Sequence, residues 1–114
     1  MAKLILVVGQ ENLALDLLTH TLQEDGLLIG MAADAVEAQG YLNSFVVDLV
    51  LLDLPGVDPN PVLNQLSVHP SPPPVVALVE QNEQVPHHRQ VRFSMFKPPD
   101  YPRLLSTILR LTGT

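Results

Sequence analysis

A chain of 114 residues is long enough for one domain with its own hydrophobic core and too short for two, so we expect a single domain over residues 1–114. The formal net charge of −6 and the lack of a lysine and arginine cluster argue against nucleic acid as a partner, and the absence of cysteine excludes disulfides, thiolate metal sites and thiol catalysis. No apolar run reaches the length of a signal-peptide core or a membrane span, so we expect a cytoplasmic protein with no membrane partner.

Five short runs of apolar residues recur along the chain. Runs that are apolar on both faces are typical of the inner strands of a parallel sheet that is covered by helices. The last run is shorter and gives a weaker signal. In chain order the predicted strands are 4–8, 27–31, 49–52, 75–79 and 93–96.

Helical patterns separate these strands. Asn12 can cap a first helix, whose apolar residues follow a period of 3.6 residues, and Gly26 can end it. Asp34 and Glu37 have the spacing of a capping box, which predicts a second helix. Asp100 can cap a last helix after the fifth strand. The alternation predicts an α/β fold with a doubly wound parallel sheet.

The second half of the chain differs from the first in its proline content, because all 11 prolines lie at or after Pro55. Asn60 and Pro61 can open a short third helix, since proline suits the first helical position, and the prolines from Pro70 onward end it. The segment between the fourth and fifth strands is short and contains Pro86. We therefore expect shortened third and fourth helices, the fourth being replaced by an irregular segment if it does not form.

Two motifs lie where the strands of such a sheet end, which is where doubly wound domains bind their ligands. Asp53 is the second-last residue of the run VVDLVLLDL, and Lys97 and Pro98 lie in the run MFKPPDYPRLL. In a chain of this length the two motifs resemble those of the receiver domains of two-component response regulators, and the resemblance covers the whole chain. It implies the strand order 2-1-3-4-5, with Asp53 at the phosphoacceptor position.

The sequence departs from the receiver pattern at the positions that carry the chemistry. Receivers have an acidic pair after the first strand, which holds the Mg²⁺ that neutralises the phosphoryl oxygens. Gly9 and Gln10 occupy these positions, and Glu11 is acidic but lies one place further along. Val79 stands where receivers have a serine or threonine. We therefore expect no metal, no cofactor and no catalysis, and we interpret Asp53 as vestigial.

Asp53, Lys97 and Pro98 are what remains of the receiver pocket, with Glu11 as a displaced acid. Without a metal, an ion pair between Asp53 and Lys97 would satisfy both charges. The resemblance implies a cis bond before Pro98. The missing acidic pair and the proline-rich loop 69–74 make the chain resemble a particular kind of receiver. It is similar to the pseudo-receiver domains of cyanobacterial clock proteins, such as that of the circadian input kinase CikA. Those domains usually lack the aspartate that this chain keeps.

The second strand is an edge of the sheet in the receiver order. It has no charge and no proline, which are the devices that protect natural edges from pairing with other chains. A partner strand could add to this edge, and Gly30 would allow it to approach closely. Coverage by a neighbouring domain or by a dimer is equally consistent with the pattern. The candidate docking residues are Leu27, Leu28, Ile29, Gly30 and Met31.

We predict a non-catalytic pseudo-receiver that acts as a protein-interaction domain in two-component or circadian signalling. The resemblance implies a histidine kinase, or a clock protein such as fold-switched KaiB, as the partner at the second strand. The alternative is a receiver that still accepts a phosphoryl group on Asp53. A sensor of a small ligand such as a quinone has little support in the sequence. His87 and His88 lack a third ligand and indicate an exposed loop, not a metal site.

Overall fold

Strands and helices alternate as the sequence predicts from the first strand to the fourth. The computed structural model of the chain describes residues 2–113. The strands are β1 (Leu4–Val8), β2 (Leu28–Ala32), β3 (Leu49–Asp53), β4 (Val75–Val79) and β5 (Val91–Phe96). The helices are α1 (Leu13–Glu24), α2 (Ala35–Ser44), α3 (Pro59–Ser67) and α4 (Tyr101–Leu111).

All five strands are parallel and form one sheet in the order β2-β1-β3-β4-β5. This confirms the predicted doubly wound α/β fold. Every residue of the inner strands β3 and β4 is buried, because helices cover both faces of the sheet. The strand β2 begins at Leu28 instead of residue 27, since the N–H of Leu27 still donates to the carbonyl oxygen of Leu22 at the end of α1.

The side chains that the sequence marks as helix caps take that role. Asn12 accepts a hydrogen bond from the N–H of Leu15, and Asp34 accepts one from the N–H of Glu37. Asp100 caps α4. Asn60 and Pro61 were expected to open α3, but the helix begins at Pro59, because Asp58 is its cap and accepts a hydrogen bond from the N–H of Asn60 at 3.0 Å.

Two hydrophobic cores lie on opposite faces of the sheet. The helices α2 and α3 pack on one face and α1 and α4 on the other. The hydroxyl of Tyr101, at the start of α4, donates a hydrogen bond to Asp25 after the end of α1 at 2.6 Å. Burial of the hydroxyl, this hydrogen bond and the negative charges of Asp25 and Glu24 raise the pKa of Tyr101 above its ordinary value.

Residues 80–90 connect β4 to β5 without a helix. The predicted shortened fourth helix is therefore wrong, and the irregular alternative is right. Pro86 lacks the N–H that a helix would need, and His88 ties the segment to α3 instead. The N–H of Gln90 donates to Nδ1 of His88, and Nε2 of this ring lies 3.0 Å from Oγ of Ser67. His88 is thus partly buried and bonded, whereas His87 is exposed as predicted.

None of the helices in residues 2–113 is both long enough and apolar enough to span a membrane.

Candidate functional site

Asp53 and Lys97 meet at the C-terminal ends of the strands and form the predicted ion pair. Asp53 is the last residue of β3 and is only 5% exposed. Lys97 directly follows β5, and its Nζ lies 2.7 Å from Oδ1 of Asp53. Glu80 directly follows β4, and its Oε1 lies 3.5 Å from the same ammonium group. Two carboxylates thus share one cation at the mouth of the crevice.

Two glycines pack against Asp53 where side chains would not fit. A Cβ atom at Gly9 would lie 2.8 Å from Cβ of Asp53 and 3.3 Å from its carbonyl oxygen. A Cβ atom at Gly56 would lie 3.2 Å from the carbonyl oxygen of Asp53 and 3.2 Å from the main-chain nitrogen of Gln10. The loops after β1 and β3 therefore approach each other closely, because both carry glycine at the point of contact.

The crevice contains part of the predicted residue set. The bond between Lys97 and Pro98 is cis, as expected. Glu11 is exposed and does not line the cavity of about 240 Å³ that contains Asp53, so its prediction as a pocket residue is wrong. Its displacement by one position after β1 places it outside. Residues that line the cavity are Asn12, Ala14, Leu15, Leu18, Asp53, Leu78, Glu80, Lys97 and Pro99.

The predicted docking edge is the outer strand β2, and its register with β1 decides which of its main-chain groups face outward. The N–H of Leu28 donates to the carbonyl oxygen of Lys3 on the β1 side, at 2.9 Å. Since main-chain groups alternate along a strand, those of Gly30 also point toward β1, and those of Ile29 and Met31 point outward. Gly30 therefore offers no hydrogen bond to a partner strand.

Gly30 also does not leave space for a partner. A Cβ atom there would lie 2.5 Å from Cε1 of Tyr41, so the glycine admits the ring of Tyr41 from α2. The expectation that Gly30 lets a docking strand approach is therefore wrong. Leu27 is buried and precedes the strand, so it does not belong to the edge either. Leu28 and Met31 are exposed at this edge.

A shallow groove of about 320 Å³ lies beside the β2 edge. Met31 is 37% and Phe45 57% exposed, and the rings of Tyr41 and Phe45 lie 5.6 Å apart. Gly40, in the middle of α2, has no atom within 4 Å of where its Cβ would be, so the groove is open above it. The groove is lined by Met31, Glu37, Gly40, Tyr41 and Phe45.

No family model and no curated protein matches the sequence, but solved structures match nearly its whole length. The receiver domain of NtrX from Brucella abortus is 29% identical, with a TM-score of 0.82, and the match covers 96% of this chain and 98% of that one. The receiver domain of the sensor histidine kinase PA1611 from Pseudomonas aeruginosa, with magnesium coordinated in its active-site cleft, is 19% identical, with a TM-score of 0.82 and full coverage of both chains. The signal receiver domain of an HD domain-containing protein from Pseudomonas fluorescens is 23% identical, with a TM-score of 0.83, and the match covers 98% of this chain and 88% of that one.

This chain has the receiver fold. Its crevice, however, does not fit a magnesium ion. Magnesium is bound through carboxylate oxygens, but Gly9 has no side chain and Gln10 carries an exposed amide. Oδ1 of Asp53 already contacts the ammonium group of Lys97. Within residues 2–113, no group of three or more His, Cys, Asp or Glu side chains is placed to hold a metal ion.

The contact at Gly9 predicts a large effect for a small substitution. Gly9→Ala should lower the free energy of unfolding by about 1–3 kcal/mol, because the new methyl group overlaps the Cβ of Asp53, which is fixed by the main chain. The matched control is Gly40→Ala, which adds the same methyl group in open space and should raise stability by about 0.5–1 kcal/mol through helix propensity. Urea denaturation measures both. A Gly9→Ala variant as stable as the wild type would show that the loop after β1 moves without cost.

Glu80 and Gly56 are crevice residues that the sequence reasoning missed. Glu80 directly follows the fourth predicted strand, so its place in the chain puts it at a strand end, but no pattern in the sequence indicates its contact with Lys97. Gly56 lies in a loop after Pro55, and no local pattern indicates that it contacts the loop after β1.

Proposed function

We propose that this chain is a pseudo-receiver, that is, a receiver-fold domain that binds other proteins and is not phosphorylated on Asp53. It has no catalytic role of its own. Solved receivers of the same fold belong to response regulators and to sensor histidine kinases, which supports a regulatory role beside a histidine kinase. The resemblance to clock-protein pseudo-receivers extends the proposal to circadian signalling, with a KaiB-like partner as one form of it.

The packing of Gly9 against Asp53 is the observation that carries the proposal. The receiver pattern needs a carboxylate after the first strand, and a side chain cannot enter at residue 9 without moving the main chain. A phosphoryl group adds negative charge to Asp53, and Lys97 is the one cation placed to balance it among the residues that line the crevice. Glu80 already shares that cation. Phosphoryl transfer to this site is therefore disfavoured on electrostatic grounds.

Protein binding is proposed at the β2 edge. Its strand has unpaired main-chain groups and exposed apolar side chains, and no charge or proline guards it. The docking residues retained from the sequence analysis are Leu28, Ile29 and Met31. Binding there does not require a change at Asp53, which lies on the inner strand β3.

Incubation with acetyl phosphate and millimolar Mg²⁺ tests the proposal directly. We expect the intact mass of the protein to stay unchanged, because the crevice lacks the carboxylates that bind the metal. A receiver domain that retains its acidic pair is the positive control under the same conditions. A phosphoryl mass that appears on the wild type and vanishes in Asp53→Asn would overturn the proposal in favour of a working phosphoacceptor.

A further inference from the structure

The main-chain groups of β2 that face away from the sheet form a short row, the open ladder, which has a defined end on each side. The N–H and C=O groups of Ile29 and Met31 point away from β1. Beyond them, the N–H of Ala33 donates to Oε1 of Glu37 at 2.7 Å, and the N–H of Leu27 is bonded within the last turn of α1. An extended segment that adds to this edge therefore meets two donors and two acceptors that have no partner within residues 2–113.

The groove beside the ladder fixes the kind of side chain that an added strand presents. Alternate residues of that strand point toward the α2 side of the sheet. There the groove is walled by the rings of Tyr41 and Phe45 and is open above Gly40, whereas the side chain of Met31 points to the α1 side of the sheet, as that of its register partner Val7 does. An aliphatic side chain such as leucine would bury apolar surface on these walls.

The charges around the groove are unbalanced at one end. Glu37 lines the groove, and Asp34 lies three residues before it at the start of α2. The whole chain carries −6. A partner with lysine or arginine beside the groove therefore complements the charge near Glu37.

A second copy of the chain fits this edge less well. Antiparallel pairing of two β2 strands about Gly30 would place Asp34 opposite Gly26 of the other copy, next to its Asp25. Both copies would also bring a net charge of −6. Like charges opposite each other destabilise a strand pair, so the charge distribution favours a cationic partner of a different sequence.

We infer that the β2 edge binds an extended peptide segment in which an aliphatic residue is flanked, two residues away, by lysine or arginine. Spacing by two residues keeps the cation on the same side of the strand as the aliphatic residue, and so beside Glu37. This inference rests on the proposed function, because it names the partner chemistry of the same interaction domain.

Two matched synthetic peptides test the inference by NMR titration of the ¹⁵N-labelled protein. Both are acetylated and amidated threonine-rich peptides with one central leucine, which is flanked two residues away on each side by lysine in one peptide and by glutamate in the other. The symmetric design removes any dependence on strand direction. We expect the lysine peptide to shift the amide signals of Ile29 and Met31 and to bind about fivefold more tightly than the glutamate peptide.

Four variants separate the contributions of the groove, the charge of Glu37 and the Asp53 crevice. Gly40→Leu fills the groove and should abolish the shifts, while Val36→Leu, at an exposed position on the same helix outside the groove, should not. Glu37→Gln keeps an oxygen that can accept the N–H of Ala33 but removes the charge, so it should remove the preference for lysine. Asp53→Asn should bind like the wild type.

Four results of the peptide titration would overturn the inference. These are no shifts at millimolar peptide, equal affinity for both peptides, shifts centred on the Asp53 crevice, or binding that survives Gly40→Leu. Shifts of Ile29 and Met31 that depend on protein concentration without peptide would identify a second copy as the occupant and equally overturn it. A phosphoryl mass on Asp53 would instead end the pseudo-receiver proposal and leave the peptide result standing.

Discussion

Lys97→Met is expected to lower the free energy of unfolding by about 2–3 kcal/mol, because it leaves the buried carboxylate of Asp53 without its cation. The side chain of Lys97 is 21% exposed, so water can reach part of the pair and the effect falls short of that of a fully buried pair. Asp53→Asn should cost less, since an amide oxygen can still accept a hydrogen bond from the ammonium group, and Glu80 remains beside it. Urea denaturation at neutral pH measures both.

Arg110→Met is the control for the loss of a cation. Arg110 is exposed in the last turn of α4 and forms no ion pair among the described residues, so its replacement should change stability by less than about 0.5 kcal/mol. If Lys97→Met behaves like Arg110→Met, the charges at the crevice are solvated. The ion pair would then contribute nothing to the fold, and the structural role of Asp53 would be disproved.

The sequence predicts well the helices and strands whose positions depend on residues that are close together along the chain. Asn12, Asp34 and Asp100 each accept a hydrogen bond from a residue three places further on, so a local pattern contains the whole interaction. The buried strands are also local signals, since a run that is apolar on both faces can only lie inside a covered sheet. The order of strands came from the resemblance to receivers, and the structure confirms it.

The crevice and the edge depended on distances between parts of the chain that are far apart in sequence. The contact of Gly9 with Asp53 joins residues on different strands, and nothing around Gly9 predicts it. The close packing of Gly30 against Tyr41 is of the same kind. The sequence of β2 alone also does not show whether the main-chain groups of Gly30 face β1 or solvent. Only the register with β1 decides which residues of an edge strand face outward.

Proline at two adjacent residues of β2 should therefore have opposite consequences. Gly30→Pro removes an N–H that points toward β1 and places ring atoms where Tyr41 lies, so we expect a loss of about 3 kcal/mol or more and a largely unfolded protein. Met31→Pro removes an N–H that points to solvent and follows a glycine, which tolerates the restriction that proline imposes. That variant should fold with a loss of about 1 kcal/mol.

Circular dichroism with urea denaturation compares the two variants, and the peptide titration then uses the one that folds. Met31→Pro should retain the secondary structure and fail to bind, because one of the two outward donors is gone and a ring stands at the edge. Gly30→Ala combined with Tyr41→Ala checks the packing half of the argument. In the Tyr41→Ala background, Gly30→Ala should lower stability much less than it does in the wild type, since the methyl group no longer meets the ring. A folded Gly30→Pro beside an unfolded Met31→Pro would mean that the strand faces β1 in the opposite register, and the ladder assigned to Ile29 and Met31 would be wrong.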